Sequence, residues 1–324
     1  MSKGLMLIDE SNWGFAATAT KRLSVGEQDT HAVFGFIRRL RDMVRQYPIL
    51  EPIVLADGIS WRYDAFAEYK GSRDKTPTTK NEIEQAEIRK SFRSQKRLIG
   101  EALKLLGVRR MAALNWEADD LAAFLVKRYA GKKRIMLLSG DKDWIQLVRE
   151  GVTWMDLIND RRLGAKSFAT QSATTEKIGI GFVRNGEWIG LKRPEQWADA
   201  KCLMGDKSDE IEGVGGIGAV GAIELLAQWG SVENFCNSVI DKTIDINKLP
   251  KKLADFASSE EKMIRFARNK MLMDLESPKI PAANGLTLTS PTFDRDGFET
   301  FCREWMFDSI LTSFDPWVEP FERM

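Results

Sequence analysis

The sequence predicts an α/β fold, a mostly parallel doubly wound sheet carrying a helical arch, followed by an α-helical region organised around a glycine-rich turn. Three observations carry this. First, three short apolar runs, at 4–8, 52–56 and 134–140, each end in an aspartate: Asp9, Asp57 and Asp141. Short, continuously apolar runs are strands buried on both faces. Second, amphipathic helical spacing fills the gaps between them, and strands alternating with helices imply a parallel sheet. Third, from Pro194 onward the pattern is helical and strand-free around Gly213 to Gly218.

In chain order, GLMLID (4–9) is the first strand. A helix from about 30 to 46 follows, with Ala32, Phe36, Leu40, Met43 and Val44 on one face. PIVLAD (52–57) is the second strand. Residues 61–107 are mostly helical in pattern, polar and basic up to a break at Pro77, then apolar at helical spacing from Ile83 to Leu106. A helix at 117–129 turns Leu121, Phe124 and Leu125 inward. RIMLLS (134–139) is the third strand, and 143–148 begins another helix. Alternation over 176–191 about Asn185-Gly186 predicts a β-ribbon added at the sheet edge. The small, polar residues of 160–175 specify no element. After GDKSDEIEGVGGIG (205–218), a helix runs to Trp229 and stops at Gly230.

Composition narrows the chemistry. With 324 residues, 43% hydrophobic and 29% charged, this is an ordinary globular composition large enough for two domains. No stretch approaches the roughly 18 apolar residues of a membrane span, and no signal-peptide core opens the chain. Cys202, Cys236 and Cys302 are widely spaced, which argues against a disulfide framework or zinc site and fits a reducing cytoplasm. The one histidine, His31, is expected at the surface or as a helix cap, so histidine-based acid–base chemistry is nearly excluded. Residues 61–110 hold 13 Lys/Arg against 7 Asp/Glu, a surplus of six in a chain whose net charge is +1. A basic segment beside an acidic cluster suits a metal-dependent enzyme acting on a polyanion, although a solvated helix face has the same composition.

In doubly wound sheets, ligands bind beyond the carboxyl ends of the strands. Asp9, Asp57 and Asp141 stand at those ends, joined in sequence by Glu117, Asp119, Asp120 and Asp143. Seven carboxylates on one rim require cations to offset their repulsion. Oxygen-only ligands favour hard ions such as Mg²⁺ or Mn²⁺. The acids of 117–120 also have a structural explanation, because carboxylates favour a helix N-terminus. Gly213, Val214, Gly215, Gly216, Ile217 and Gly218 satisfy GxGxxG, but no buried strand precedes them and none follows to carry a ribose-binding acid. A turn between two helices, with bare amides able to hold a backbone phosphate, fits the context better. Asp206 and Asp209 lie just upstream.

Four segments, EYKGSRDK (68–75), WEADDLAA (116–123), SGDKDW (139–144) and RPEQWADAKCLMGDKSDEIEGVGGIG (193–218), resemble in order and spacing the flap endonuclease and 5′-nuclease family. That family comprises phage 5′-3′ exonucleases and the 5′-nuclease domain of bacterial DNA polymerase I. LIDESN (7–12) and FDRDGFETFCREWMFDSIL (293–311) extend the resemblance over nearly the whole chain.

The resemblance implies a PIN-like nuclease domain over 1–193 with its arch at about 61–107, a helix–hairpin–helix duplex-binding region over 194–280, and a helical segment over 281–324 that packs back on the first. It implies first-metal ligands Asp9, Asp57, Glu117 and Asp119, and a second set of Asp120, Asp141, Asp143, Asp206 and Asp209. Lys70 and Arg73 would meet the scissile phosphate, with Lys201 nearby, and Gly213 to Gly218 would hold duplex DNA, with K⁺ on backbone carbonyls. The implied activity is hydrolysis at 5′ flaps, nicks or free 5′ ends by two Mg²⁺, with Mn²⁺ as a substitute, in replication and repair. RNA–DNA hybrids and replication proteins are further implied partners, and a cytoplasmic monomer is expected, in the host cytoplasm if phage-encoded. Trp61, Tyr63, Phe66 and Tyr69 are either stacking surfaces for single-stranded DNA or arch core. The chain departs from the family in having Glu10-Ser11-Asn12 after the first aspartate, where a small residue is usual. A PIN-type ribonuclease and a catalytically silent junction binder are the competing readings.

Overall fold

The computed structural model describes residues 3–18, 23–71 and 76–324. A seven-stranded sheet lies at its centre. Its strands in chain order are β1 (Gly4–Asp9), β2 (Leu50–Ala56), β3 (Arg109–Ala112), β4 (Ile135–Leu138), β5 (Val152–Asp156), β6 (Arg161–Gly164) and, after a hairpin β7 (Gly181–Arg184) and β8 (Glu187–Gly190), β9 (Thr287–Thr289). The spatial order is β9-β3-β2-β1-β4-β5-β6. The five inner strands are parallel, and β9 and β6 close the edges antiparallel. The chain winds outward from β1 through β2 and β3, then returns to the other side of β1 through β4 and β5. The β1–β4 boundary is therefore the switch point, where open α/β sheets take their ligands.

Strand periodicity decides which core each residue joins. Leu5 and Leu7 face one side with Ile53, Leu55 and Leu137, whereas Met6 and Ile8 face the other with Val54 and Leu138. The first side is covered by α4 (Ala118–Tyr129) and by the later helices α5 (Gln196–Met204), α6 (Ala219–Trp229) and α7 (Glu260–Met273). The second is covered by α1 (Glu10–Thr18), α2 (His31–Gln46), α3 (Lys80–Leu105), α8 (Arg295–Glu304) and α9 (Phe314–Glu322). Phe298, on α8, stacks on Trp317, on α9, at 5.2 Å, and β9 lies against β3. The chain after 281 thus contributes to both the sheet and this second core.

Helix α3 starts at a capping box, in which Thr79 Oγ1 accepts from Glu82 N at 3.2 Å and Glu82 accepts from Thr79 N at 2.9 Å. Several expectations need correction. The hairpin turns at Asn185-Gly186, whose φ values are positive at 52° and 83°, but it is not the sheet edge. Strand β6, from the stretch that specified nothing, already fills that edge, and the ribbon rests on α6, with Arg184 paired to Glu224. The helix expected to begin at 143 is present as a 3₁₀ helix over 142–147. His31 is buried, its Nδ1 3.3 Å from Leu23 O, and so is not a surface residue. No helix among the described residues is long and apolar enough to cross a membrane.

Candidate active site

The rim at the switch point is assembled from four loops. Asp9 closes β1 at 6% exposure and accepts hydrogen bonds from Ser139 Oγ at 2.8 Å and Asn12 N at 2.9 Å. Asp57, just past β2, accepts from Ala118 N at 2.9 Å, so its charge faces the positive end of α4. Asp119 sits in the first turn of that helix and accepts from Trp144 Nε1. Asp141 caps the 3₁₀ helix, accepting from Asp143 N at 2.8 Å, and its own carbonyl is held by Trp154 Nε1 at 3.1 Å. Strand pairing brings Asp9 and the loop after β4 together, and α4 places Glu117 and Asp119 between them.

The acids fall into two electrostatic groups. In one, a protein cation supplies the balancing charge. Burial opposes ionisation of Glu117, but Lys70 and Arg62 outweigh it and hold its carboxyl down at about 2. Glu117 also accepts from Ser60 Oγ and Tyr69 Oη, both at 2.9 Å. The Lys201 ammonium, on α5, bridges Asp206 and Asp143, reaching the latter at 3.1 Å. This keeps Asp206 below the usual carboxylate range despite its partial burial. In the other group the charges crowd one another. Burial and the Asp57 charge raise Asp9 to about 7. Burial, then Asp141, Glu117 and Asp9, push Asp119 well up. Asp141 rises to about 7, chiefly through desolvation in the cleft and then through the charges of Asp143 and Asp9. The hydrogen-bond donors to Asp9 and Asp119 are all neutral.

Among the described residues, no three His, Cys, Asp or Glu side chains form a ready-made ligand cage. The reason is visible in the first group, where Lys70 and Lys201 already lie between the carboxylates. Lys70 is buried with a positive φ of 54°, its N–H donating to Asp209 O at 3.1 Å and its ammonium pairing with Glu117 and lying 3.9 Å from Asp209 Oδ2. A two-residue ladder between Gly205–Asp206 and Ile211–Glu212 closes the loop that carries Asp206 and Asp209. Asp206 meets Lys201, which also reaches Asp143, whereas Asp209 meets Lys70 and Tyr69.

Asp120 does not join the acids around Asp141. Its two oxygens take Arg62 Nη1 and Nη2, both at 2.9 Å, and one also caps Glu117 N at 3.1 Å. Both side chains are buried, so Asp120 serves as Arg62's counter-ion. Arg73 lies outside the described residues. The arch aromatics divide: Trp61 and Tyr69 are core, Phe66 is half-buried under Arg268, and Tyr63 is exposed. Sequence reasoning missed Arg62, and it missed Tyr69 as a hydrogen-bond donor to Glu117. It also left Glu10 unexplained. That carboxylate is fully buried and turned away from Asp9 into a bidentate pair with Arg110, at 2.6 and 3.1 Å.

The glycine turn has the expected backbone. Val214 and Ile217 are buried anchors, while Gly215 and Gly216 are exposed with φ of +81° and +82°. A Cβ on Gly213 would lie 2.4 Å from Met204 O, so only glycine fits there. Residues 4–179 match the 5′-3′ exonuclease N-terminal resolvase-like domain, and 192–279 match the 5′-3′ exonuclease C-terminal SAM fold. The chain belongs to the 5′-3′ exonuclease family.

The family and fold expected from the motifs are therefore the ones found. The chain is 28% identical to the thermostable DNA polymerase I of Thermus filiformis over 315 residues, 96% of this chain and 33% of that one. It is 33% identical to DNA polymerase I of Bacillus caldotenax over 244 residues, 74% of this chain and 25% of that one. It thus spans about a third or less of these relatives. Among solved structures, the T5 5′-exonuclease with bound zinc matches with a TM-score of 0.62 at 20% identity, covering 93% of this chain and 98% of that one. The bacteriophage T5 flap endonuclease in a complex with DNA and metal ions matches at 0.61 and 22% identity, covering 93% and 97%. These likenesses show a shared fold.

Proposed function

We propose that this exonuclease-family chain is a structure-selective 5′ nuclease that cuts DNA at 5′ flaps, nicks and free 5′ ends with divalent metal ions. One observation carries the reading. Asp9, Asp119 and Asp141 crowd their charges at the switch point, and the donors to Asp9 and Asp119 are neutral. An all-carboxylate donor set with unbalanced charge fits hard cations, Mg²⁺ before Mn²⁺. Asp9, Asp57, Glu117 and Asp119 would hold one ion, and Asp141, Asp143, Asp206 and Asp209 would surround a second. Bound there, such ions supply Lewis acidity, which makes hydroxide available at neutral pH and offsets charge on the leaving oxygen.

The chain's own residues do the rest. Lys70, Arg73 and Lys201 supply cationic donors for the charge that develops on the phosphoryl oxygens. Lys70 pairs with Glu117 and Lys201 with Asp206, which places both ammonium groups at the acidic rim. The glycine turn, with Gly215 and Gly216 exposed, meets the duplex through its phosphates, without base readout. Two carbonyls of that turn, those of Gly213 and Gly215, already face Arg265 at 3.4 Å and Lys262 at 3.2 Å, so a K⁺ there would use the others. The same proposal takes 1–193 as the catalytic unit, 194–280 as the duplex grip and 281–324 as a return segment, acting as a cytoplasmic monomer. RNA–DNA hybrids are included as substrates and replication proteins as partners.

The test is digestion of 5′-labelled flap, nicked and single-stranded DNA, and of RNA, with and without Mg²⁺. Release of the flap strand only with metal supports the reading. Preference for RNA without regard to a junction, or binding without cutting in any metal, refutes it.

A further inference from the structure

Arg62 takes no part in the chemistry described above, yet it is among the most constrained side chains in the molecule. It is 3% exposed and lies in the short helix Arg62–Ala65, just past Asp57. Its guanidinium grips both Asp120 oxygens at 2.9 Å, and Nη1 lies 3.2 Å from Glu117 Oε2. Its third nitrogen, Nε, bonds Leu272 O at 2.7 Å. Leu272 is in the last turn of α7, where carbonyls lack helical partners, so a cation there caps the negative end of the helix.

Helix α7 is also the helix that holds the glycine turn. Lys262 Nζ bonds Gly215 O at 3.2 Å, and Arg265 Nη1 bonds Gly213 O at 3.4 Å. Asn269 Nδ2 bonds Glu212 O at 2.7 Å and Cys202 O at 3.0 Å. Residues 262, 265, 269 and 272 are spaced by three or four and so share one face. From Lys262 to Leu272 that face rises about 15 Å. One rigid element therefore begins at the duplex-binding turn and ends on a guanidinium fixed to the acids opening α4.

We infer that Arg62 is a positioning residue that couples duplex binding to the geometry of the acidic rim; the inference rests on the nuclease reading above. Movement of the end of α7 relative to α4 strains a planar fork that already serves Leu272 O, Asp120 and Glu117 together. Asp120 in turn holds Glu117 N at 3.1 Å, so Glu117 and its neighbour Asp119 follow the guanidinium. A duplex seated on the turn holds α7, and through Arg62 it holds the rim acids in place.

The test compares one 5′ strand presented alone and beside a duplex, both at saturation with Mg²⁺. Wild type is expected to cut the duplexed form faster by roughly tenfold or more, within the usual scale of coupling between sites. R62M alone strands Asp120 in the interior, so R62M/D120N, which removes both charges, is the principal variant. R62K is the second, keeping the charge while losing the fork. In either folded variant the ratio of the two rates should fall toward one, with wild-type affinity for the duplexed strand measured in Ca²⁺. A folded variant that keeps the wild-type ratio, or that loses rate equally on both substrates, overturns the inference, as does a wild-type ratio of one. A wild-type protein that cuts neither strand refutes the nuclease reading instead.

Discussion

The Glu10–Arg110 pair gives a test of how the first aspartate is held. Arg110→Met removes the partner of a carboxylate that is 0% exposed and sits one residue after Asp9. Breaking a buried pair by removing one member costs about 3–5 kcal/mol, because the other charge stays behind. Arg110's side chain is 34% exposed, so water screens part of this, and about 2–3 kcal/mol is the expected loss. At roughly 1.5 °C per kcal/mol for a chain of this size, Tm should fall by about 3–5 °C. Thermal unfolding followed by circular dichroism without added metal measures it. Adding Glu10→Gln should restore at least half of the loss, since neither member then carries charge. A Tm for R110M within about a degree of wild type would refute the buried-pair account, whose expected shift is several degrees. A double variant no better than the single would refute it equally.

Lys70→Ala should lower single-turnover cleavage of a flap by about 10²–10³-fold, the scale of losing one preorganised donor, with substrate affinity largely kept; normal cleavage would remove Lys70 from the chemistry. Glu117, held at about 2 against its ordinary 4.5, contributes stability that is fully present above pH 4.5 and lost as pH falls toward 2. Urea midpoints measured across that window should therefore drop steeply in wild type and more gently in Lys70→Ala, which removes the largest charge holding Glu117 down. Binding through phosphates makes log Kd for duplexed DNA linear in log salt. A flat salt dependence would contradict the duplex grip.

The continuous apolar runs made β1, β2 and β4 legible, because a strand buried on both faces has little choice of residue. Strand β3, with the sequence RRMA and one fully buried side chain, and β9, exposed along its length, carry no such signal and exist because they pair with neighbours. The hairpin was legible from Asn185-Gly186, but its seat on α6 was not, since β6 already held the edge it was expected to fill. At the site, acids at strand ends pointed to the rim. What each acid meets depended on residues distant in sequence: Arg62 and Leu272 for Asp120, Lys201 for Asp143 and Asp206, and Arg110 for Glu10. Asp119 and Asp120 are adjacent in the chain, yet one faces the rim and the other the interior, because successive residues of a helix point about 100° apart.

The most direct measurement is a Mg²⁺ titration of 5′-flap cleavage by wild type and by Asp141→Ala, with folding of the variant checked by its thermal unfolding. Cleavage that rises from nothing with Mg²⁺ in wild type, and falls by more than about a hundredfold in the folded variant, is the predicted result, since even residues that only orient a ligand cost 10–100-fold. Cleavage by the variant at the wild-type rate, or wild-type cleavage that persists in excess chelator, would contradict the account.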